Sequence, residues 1–204
     1  MIYVNFRGWY NFLMKTTRLE AFSDGVIAIF ITVMVLAFKI PEGDDIAALG
    51  PTLPLFLAYV LSFVYLAIYW NNHHHLMQVT DHVDGRILWA NMHLLFWLSL
   101  VPFATAWMAQ THFAMIPTAL YGVILLLAAL GYSFLVMAIT AHGDANHLLR
   151  KAIGRDYKGK ISLVIYVLAV ALTGVHQWIS LSLYALVAII WLVPDRRIER
   201  VLGH

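Results

Sequence analysis

Between Arg18 and Asp24 the sequence gathers Arg18, Glu20, Ser23 and Asp24, and directly after them comes a run without a single ionisable side chain, Gly25 to Phe38. Charges at the edge of such a run are costly in hydrocarbon unless they are paired, so the chemistry open to this cluster is ion pairing and charge-assisted hydrogen bonding. Thr32 is the one hydroxyl inside the run. The second group of reactive side chains is the histidines, ten in all, with His73, His74 and His75 consecutive and His82, His142 and His147 expected on the same side. A metal centre is conceivable from such a set. Three successive residues on a helix point in three directions, however, and the repeated H-x-x-x-H or H-x-x-H-H clusters of membrane iron enzymes are missing. The histidines therefore read as interfacial packing residues, with no catalytic residue, resident metal or cofactor expected, and a His-rich membrane metal enzyme is the least favoured reading.

The element that must carry the cluster is the run that follows it. Isoleucine, valine, leucine, methionine and phenylalanine dominate it, and Lys39 and Pro41 close it, which reads as a membrane-spanning helix. At about 100° per residue, Gly25, Ile29, Thr32 and Leu36 share one stripe with Val33 at its margin, whereas Ile27, Phe30, Ile31, Met34 and Phe38 lie roughly opposite. A slim stripe serves either to let another helix approach closely or to face an axis shared with further copies of the chain.

Composition agrees with a membrane protein: 62% of the 204 residues are hydrophobic and 12% charged, and the mean hydropathy is +0.77, far from the usual soluble balance. Cysteine is absent, so neither disulfides nor a thiolate metal site are available. Beyond the first span, apolar segments are expected over Thr52 to Asn71, with a possible extension to Met77, and over Ile87 to Met108 with a kink at Pro102. Others run from Pro117 to Thr140, Ile161 to Val175 and Ser182 to Val193, the last two as a hairpin around His176-Gln177-Trp178. The fold expected is an all-α membrane protein with six transmembrane helices. Residues 1–17, aromatic and basic, read as an interfacial segment rather than a secretory signal, and Met14 is an alternative start. Residues 18–193 form the transmembrane domain, and 194–204 a basic tail.

Six crossings put Arg7, Lys15, Arg18, Arg86, Arg150, Lys151, Arg155, Lys158, Lys160, Arg196, Arg197 and Arg200 on one side and only Lys39 on the other. By the positive-inside rule both termini are then cytoplasmic in a multi-pass protein of the cell membrane. Those cations attract anionic lipid headgroups at about 1 kcal/mol each, a sufficient reason for them without a nucleic-acid partner.

The pattern R-x-x-x-F-S-D-G/A followed by an apolar helix with a threonine, here Arg18, Phe22, Ser23, Asp24, Gly25 and Thr32, resembles the first helix of the transmembrane protein 175 family of potassium channels. Trp70 and His73 resemble its W-x-x-H at the end of the second helix, and Asn91 with Pro102-Phe103 its N…PF third helix. The resemblance implies a potassium-preferring, passively conducting cation channel. Single-repeat bacterial members are tetramers, and no internal repeat occurs here, so it also implies a homotetramer with helix 1 around a central pore. Ile29 then matches the constricting residue of a hydrophobic gate continued by Val33 and Leu36, and Thr32 becomes the selectivity contact. No T-V-G-Y-G filter and no mid-span acidic ring is present to do that work. Arg18, Ser23, Asp24, Trp70 and His73 are expected to form a structural polar network, with Asp24 turned toward Trp70 or His73, so that losing Asp24 harms folding or assembly more than ion preference. A secondary transporter is the alternative class, disfavoured because the cores of spans three to six lack Asp, Glu, Lys and Arg.

Overall fold

The computed structural model describes residues 15–80, 82–141 and 157–192. The elements among them are helices: α1 (Thr16–Val35), a 3-10 segment (Ile46–Thr52), α2 (Leu53–Gln78), α3 (Gly85–Ser99), α4 (Val101–Gln110), α5 (Met115–Thr140), α6 (Tyr157–Leu172) and α7 (Gln177–Leu192). The interfacial segment before residue 15, the tail 194–204 and most of the polar stretch from His142 to Lys160 lie outside the described residues, together with the basic side chains they carry. Among the described residues three stretches are long and apolar enough to cross a bilayer, Ile46–Gln78, Gly85–Gln110 and Met115–Thr140, and Gln177–Leu192 is a shorter apolar helix.

The helix ends follow from local chemistry. Asp84 caps α3, its carboxylate accepting from the backbone N–H of Arg86 at 3.0 Å and of Ile87 at 2.9 Å, which satisfies donors that an isolated helix start leaves bare. The expected kink in the third rod falls at Leu100, between α3 and α4. Pro102 has no N–H to return to the carbonyl of Leu98, and its ring crowds that turn. Two boundaries differ from the sequence reading. Helix α1 stops at Val35, so Phe38 leaves the helix and instead packs edge-on against Tyr59 at 5.6 Å. Helix α7 starts at Gln177, so Gln177 and Trp178 belong to it rather than to the hairpin turn. Its amphipathic first turn is stabilised by packing, as the ring of Trp178 lies 5.3 Å from that of Phe113.

Helix α5 packs against α3, α4, α6 and α7, and α2 lies against α1, α4 and α7. Hydrocarbon offers no hydrophobic drive to hold such helices together, so close approach and hydroxyl contacts carry the association. Ser62 shares hydrogen bonds with Thr105 at 2.6 Å and Tyr121 at 3.0 Å, joining α2, α4 and α5. Tyr65 donates to the Tyr184 carbonyl at 2.6 Å, and Tyr184 to the Thr118 carbonyl at 3.2 Å. Gly122 makes room for this, since a Cβ there would collide with the Tyr184 hydroxyl. Gly122→Ala is therefore expected to cost about 1–3 kcal/mol through overpacking, read as a lower melting temperature in detergent; an unchanged melting temperature would mean that Tyr184 shifts without penalty.

Candidate functional site

Helix α1 is two-faced in the way its sequence spacing implies. Leu19, Ser23, Ile27 and Met34 are buried where α1 packs against α2, α3 and α4. The other face is bare in the single chain: Arg18, Gly25 and Thr32 are exposed, Ile29 is 58% exposed, Val33 45% and Leu36 81%. These positions recur every three or four residues and so make one continuous stripe. Nothing fills the space beside Gly25. Leu36 is the residue at which the helix ends, so Ile29 and Val33 are the bulky members held on regular helix. The Thr32 hydroxyl donates to the Ile29 carbonyl at 3.0 Å, which occupies its hydrogen and leaves the oxygen lone pairs as what the side chain presents outward.

The buried face is anchored by two separate sets of contacts. In the first, the Ser23 hydroxyl donates to the Leu19 carbonyl at 2.9 Å and accepts from Asn91 Nδ2 at 2.9 Å, and Asn91 Oδ1 meets His73 Nε2 at 2.8 Å. An amide oxygen only accepts, so His73 carries its proton on Nε2, and its Nδ1 is left without a partner among the described residues. Ser23, His73 and Asn91 are all fully buried. One asparagine thus ties α1, α2 and α3 together.

The second set is a ladder between α1 and α2. Trp70 Nε1 donates to Asp24 Oδ1 at 3.0 Å, and one turn away His74 Nδ1 meets Glu20 Oε1 at 2.8 Å. Gln78 Nε2 lies 2.9 Å from His74 Nε2, which makes that nitrogen the acceptor and leaves Nδ1 to donate to Glu20. The rings of Trp70 and His74 stack at 6.0 Å and 19°. Below them Thr16 donates to the Thr80 carbonyl at 2.8 Å.

Of the residues expected to form a polar network, Asp24 does meet Trp70, whereas His73 turns to Asn91 and not to Asp24. Arg18 sits on the exposed stripe near Gly25, apart from both sets. Asn91, Glu20 and His74 were not singled out as network members. A signal was present for two of them: Glu20 and Asp24 are four apart on α1, and Trp70 and His74 are four apart on α2, so two helices packed side by side bring both pairs into register. Asn91 was marked by the N…PF resemblance of the third helix, but a lone amide in an apolar helix does not reveal its partners. Among the described residues no three His, Asp or Glu side chains gather as a metal site would require.

Residues 18–102, which hold all of these contacts except that of Thr16, match the family described as endosomal/lysosomal potassium channel TMEM175. A potassium channel of Chryseobacterium sp. (strain P1-3) is 52% identical over 189 residues, covering 93% of this chain and 98% of its own. A potassium channel of Chamaesiphon minutus is 30% identical over 192 residues, covering 86% and 92%. The fold is similar to the crystal structure of a lysosomal potassium-selective channel TMEM175 homolog from Chamaesiphon minutus, with a TM-score of 0.74, 28% identity, and coverage of 88% of this chain and 97% of that one. With its first-helix motif, its helical order and relatives matched along nearly their whole length, the chain belongs to the TMEM175 family of potassium channels.

Proposed function

We propose that the protein is a potassium-preferring, passively conducting channel in which four copies surround a central pore lined by α1. The observation that carries this reading is the uncovered stripe of α1 from Gly25 to Leu36, apolar but for the Thr32 hydroxyl, opposite a face that is packed and hydrogen-bonded. In a tetramer the stripe turns to the symmetry axis. Four Ile29 side chains then form a collar that empties of water when narrow and conducts when slightly wider, and Val33 and Leu36 continue the apolar lining. Four Thr32 oxygens, their hydrogens occupied by the Ile29 carbonyls, offer a ring of acceptors that replaces part of a cation's hydration. The anchoring contacts of Ser23, Asp24, Trp70, His73 and Asn91 hold α1 at the angle this requires and do not touch the ion. Six crossings with both termini in the cytoplasm of a cell-membrane protein fit the distribution of Lys and Arg.

The test is reversal-potential measurement on the reconstituted protein under opposed potassium and sodium gradients. The wild type is expected to follow the potassium gradient with no second solute. Thr32→Val, which keeps shape and removes the oxygen, is expected to lower the potassium-to-sodium preference about fivefold, the equivalent of ~1 kcal/mol per lost neutral polar contact. Transport that requires a coupled solute would replace the channel reading by a carrier. An unaltered preference in Thr32→Val would move selectivity elsewhere along α1.

A further inference from the structure

Where α1 finishes and α2 begins, the chain turns back on itself and shapes a groove of about 1000 Å³, including the part open to the outside. Its walls are Phe38, Ile40 and Pro41 from the segment beyond α1, Leu49 from the 3-10 segment, and Leu53 and Phe56 from α2. Ile40, Leu49, Leu53 and Phe56 are all at least half exposed. Thr52, also in the wall, spends its hydrogen on the Leu49 carbonyl at 2.7 Å. The edge-on contact with Tyr59 holds Phe38 in place. A concave apolar surface at the end of a membrane bundle is complementary to a hydrocarbon chain.

The charges at the rim narrow the kind of chain. Lys39 lines the groove and is exposed. Glu42 and Asp44 follow on the same loop and are exposed as well. None of these three side chains forms an ion pair or hydrogen bond among the described residues. Asp45 differs, because its Oδ1 accepts from the Ala48 N–H at 3.0 Å and is used by the fold. Three residues of backbone reach at most roughly 11 Å, so Glu42 stays near Lys39. Lysine serves phosphate as a compact cation with three N–H donors, and a carboxylate accepts from a primary ammonium. A purely anionic headgroup would gain from Lys39 and be repelled by the two carboxylates. A headgroup that carries both a phosphate and an ammonium gains from all three.

We propose that this groove binds a zwitterionic phospholipid of the phosphatidylethanolamine class. One acyl chain lies along Phe38, Leu53 and Phe56, the phosphate accepts from the Lys39 ammonium, and the headgroup ammonium donates to Glu42 and Asp44. The site is independent of the pore reading, since α1 supplies only the segment beyond its own end and the stripe on α1 takes no part.

The experiment is native mass spectrometry of the full chain in detergent, titrated with the dioleoyl forms of phosphatidylethanolamine, phosphatidylcholine and phosphatidylglycerol. Phosphatidylethanolamine is expected to bind saturably and at least about tenfold more tightly than the other two. Phosphatidylcholine keeps the phosphate but has no N–H to donate, and phosphatidylglycerol brings no cation to Glu42 and Asp44. Lys39→Gln is expected to weaken phosphatidylethanolamine about fivefold. Glu42→Gln/Asp44→Asn is expected to abolish the preference over phosphatidylglycerol, and Leu53→Trp, which fills the groove, to weaken all three lipids. Unchanged oligomer mass and melting temperature are the check on folding. Absence of saturable binding, equal affinity for phosphatidylethanolamine and phosphatidylglycerol, or unchanged affinity in a folded Lys39→Gln protein would overturn the proposal. So would dissociation of the oligomer by Leu53→Trp, which would assign the groove to a neighbouring copy of the chain.

Discussion

Replacing Ile29 by Asn is expected to raise single-channel potassium conductance about tenfold, equivalent to lowering the barrier to permeation by ~1.4 kcal/mol. A ring of isoleucine side chains offers water no hydrogen bond, so a narrow apolar section dewets and an ion crossing it sheds hydration without compensation. Asparagine occupies less apolar volume and brings an oxygen that water and cations accept as a partner. The position matters as much as the chemistry. Ile29 lies in the interior of α1, where the i−4 hydrogen-bond ladder holds its Cα in place, whereas Leu36 stands where the helix ends and has a freer backbone. Leu36→Ala is accordingly the internal control, with a change smaller than that of Ile29→Asn. Planar-bilayer recording of the two variants beside the wild type reads the difference directly. Unchanged conductance in a correctly assembled Ile29→Asn protein would remove Ile29 as the narrow point, and a larger effect at Leu36 would relocate it to the end of the helix.

The parts of this molecule that sequence made legible are those governed by periodicity and solvent. The two faces of α1 separate as the 3.6-residue repeat requires, with Ile27 and Met34 buried and Ile29, Thr32, Val33 and Leu36 bare, because the bulky side chains need a partner helix and the slim stripe does not. Pro102 breaks the third rod because no sequence context restores a missing N–H. Less legible was which polar group meets which. Asp24 had two plausible partners on α2, and the choice depends on the rotation of α2 about its own axis, a property set by packing against α4 and α7 far along the chain. That rotation turns Trp70 and His74 toward α1 and sends His73 toward α3, where Asn91 awaits it. The helix ends were displaced for a related reason: α1 stops at Val35 although the apolar run continues to Phe38, since hydropathy reports the solvent a residue prefers and not whether its backbone remains helical.

Asn91→Leu is expected to be the most destabilising single change around α1, at about 2–4 kcal/mol. The side chain it removes is the only link among three helices in this polar set, accepting from His73 at 2.8 Å and donating to Ser23 at 2.9 Å. Leucine has similar volume, so the loss is not a cavity effect. It arises from what is stranded: His73 already lacks a partner at Nδ1, and without Asn91 its Nε2–H is also unsatisfied in a fully buried site. Ser23 fares better, because its hydroxyl still reaches the Leu19 carbonyl. The same reasoning ranks Asp24→Ala below it for folding: the Asp24–Trp70 contact is exposed in the single chain, and water can take over either partner there. Thermal unfolding of the detergent-solubilised protein, with oligomer mass read by light scattering, separates the two. Asn91→Leu should lose melting temperature first and assembly only as a consequence. The double variant His73→Phe/Asn91→Leu should recover part of the loss, because it removes the stranded imidazole. Full stability in Asn91→Leu, or no recovery in a double variant that still folds, would show that α1 is held mainly by the exposed ladder of Glu20, Asp24, Trp70 and His74.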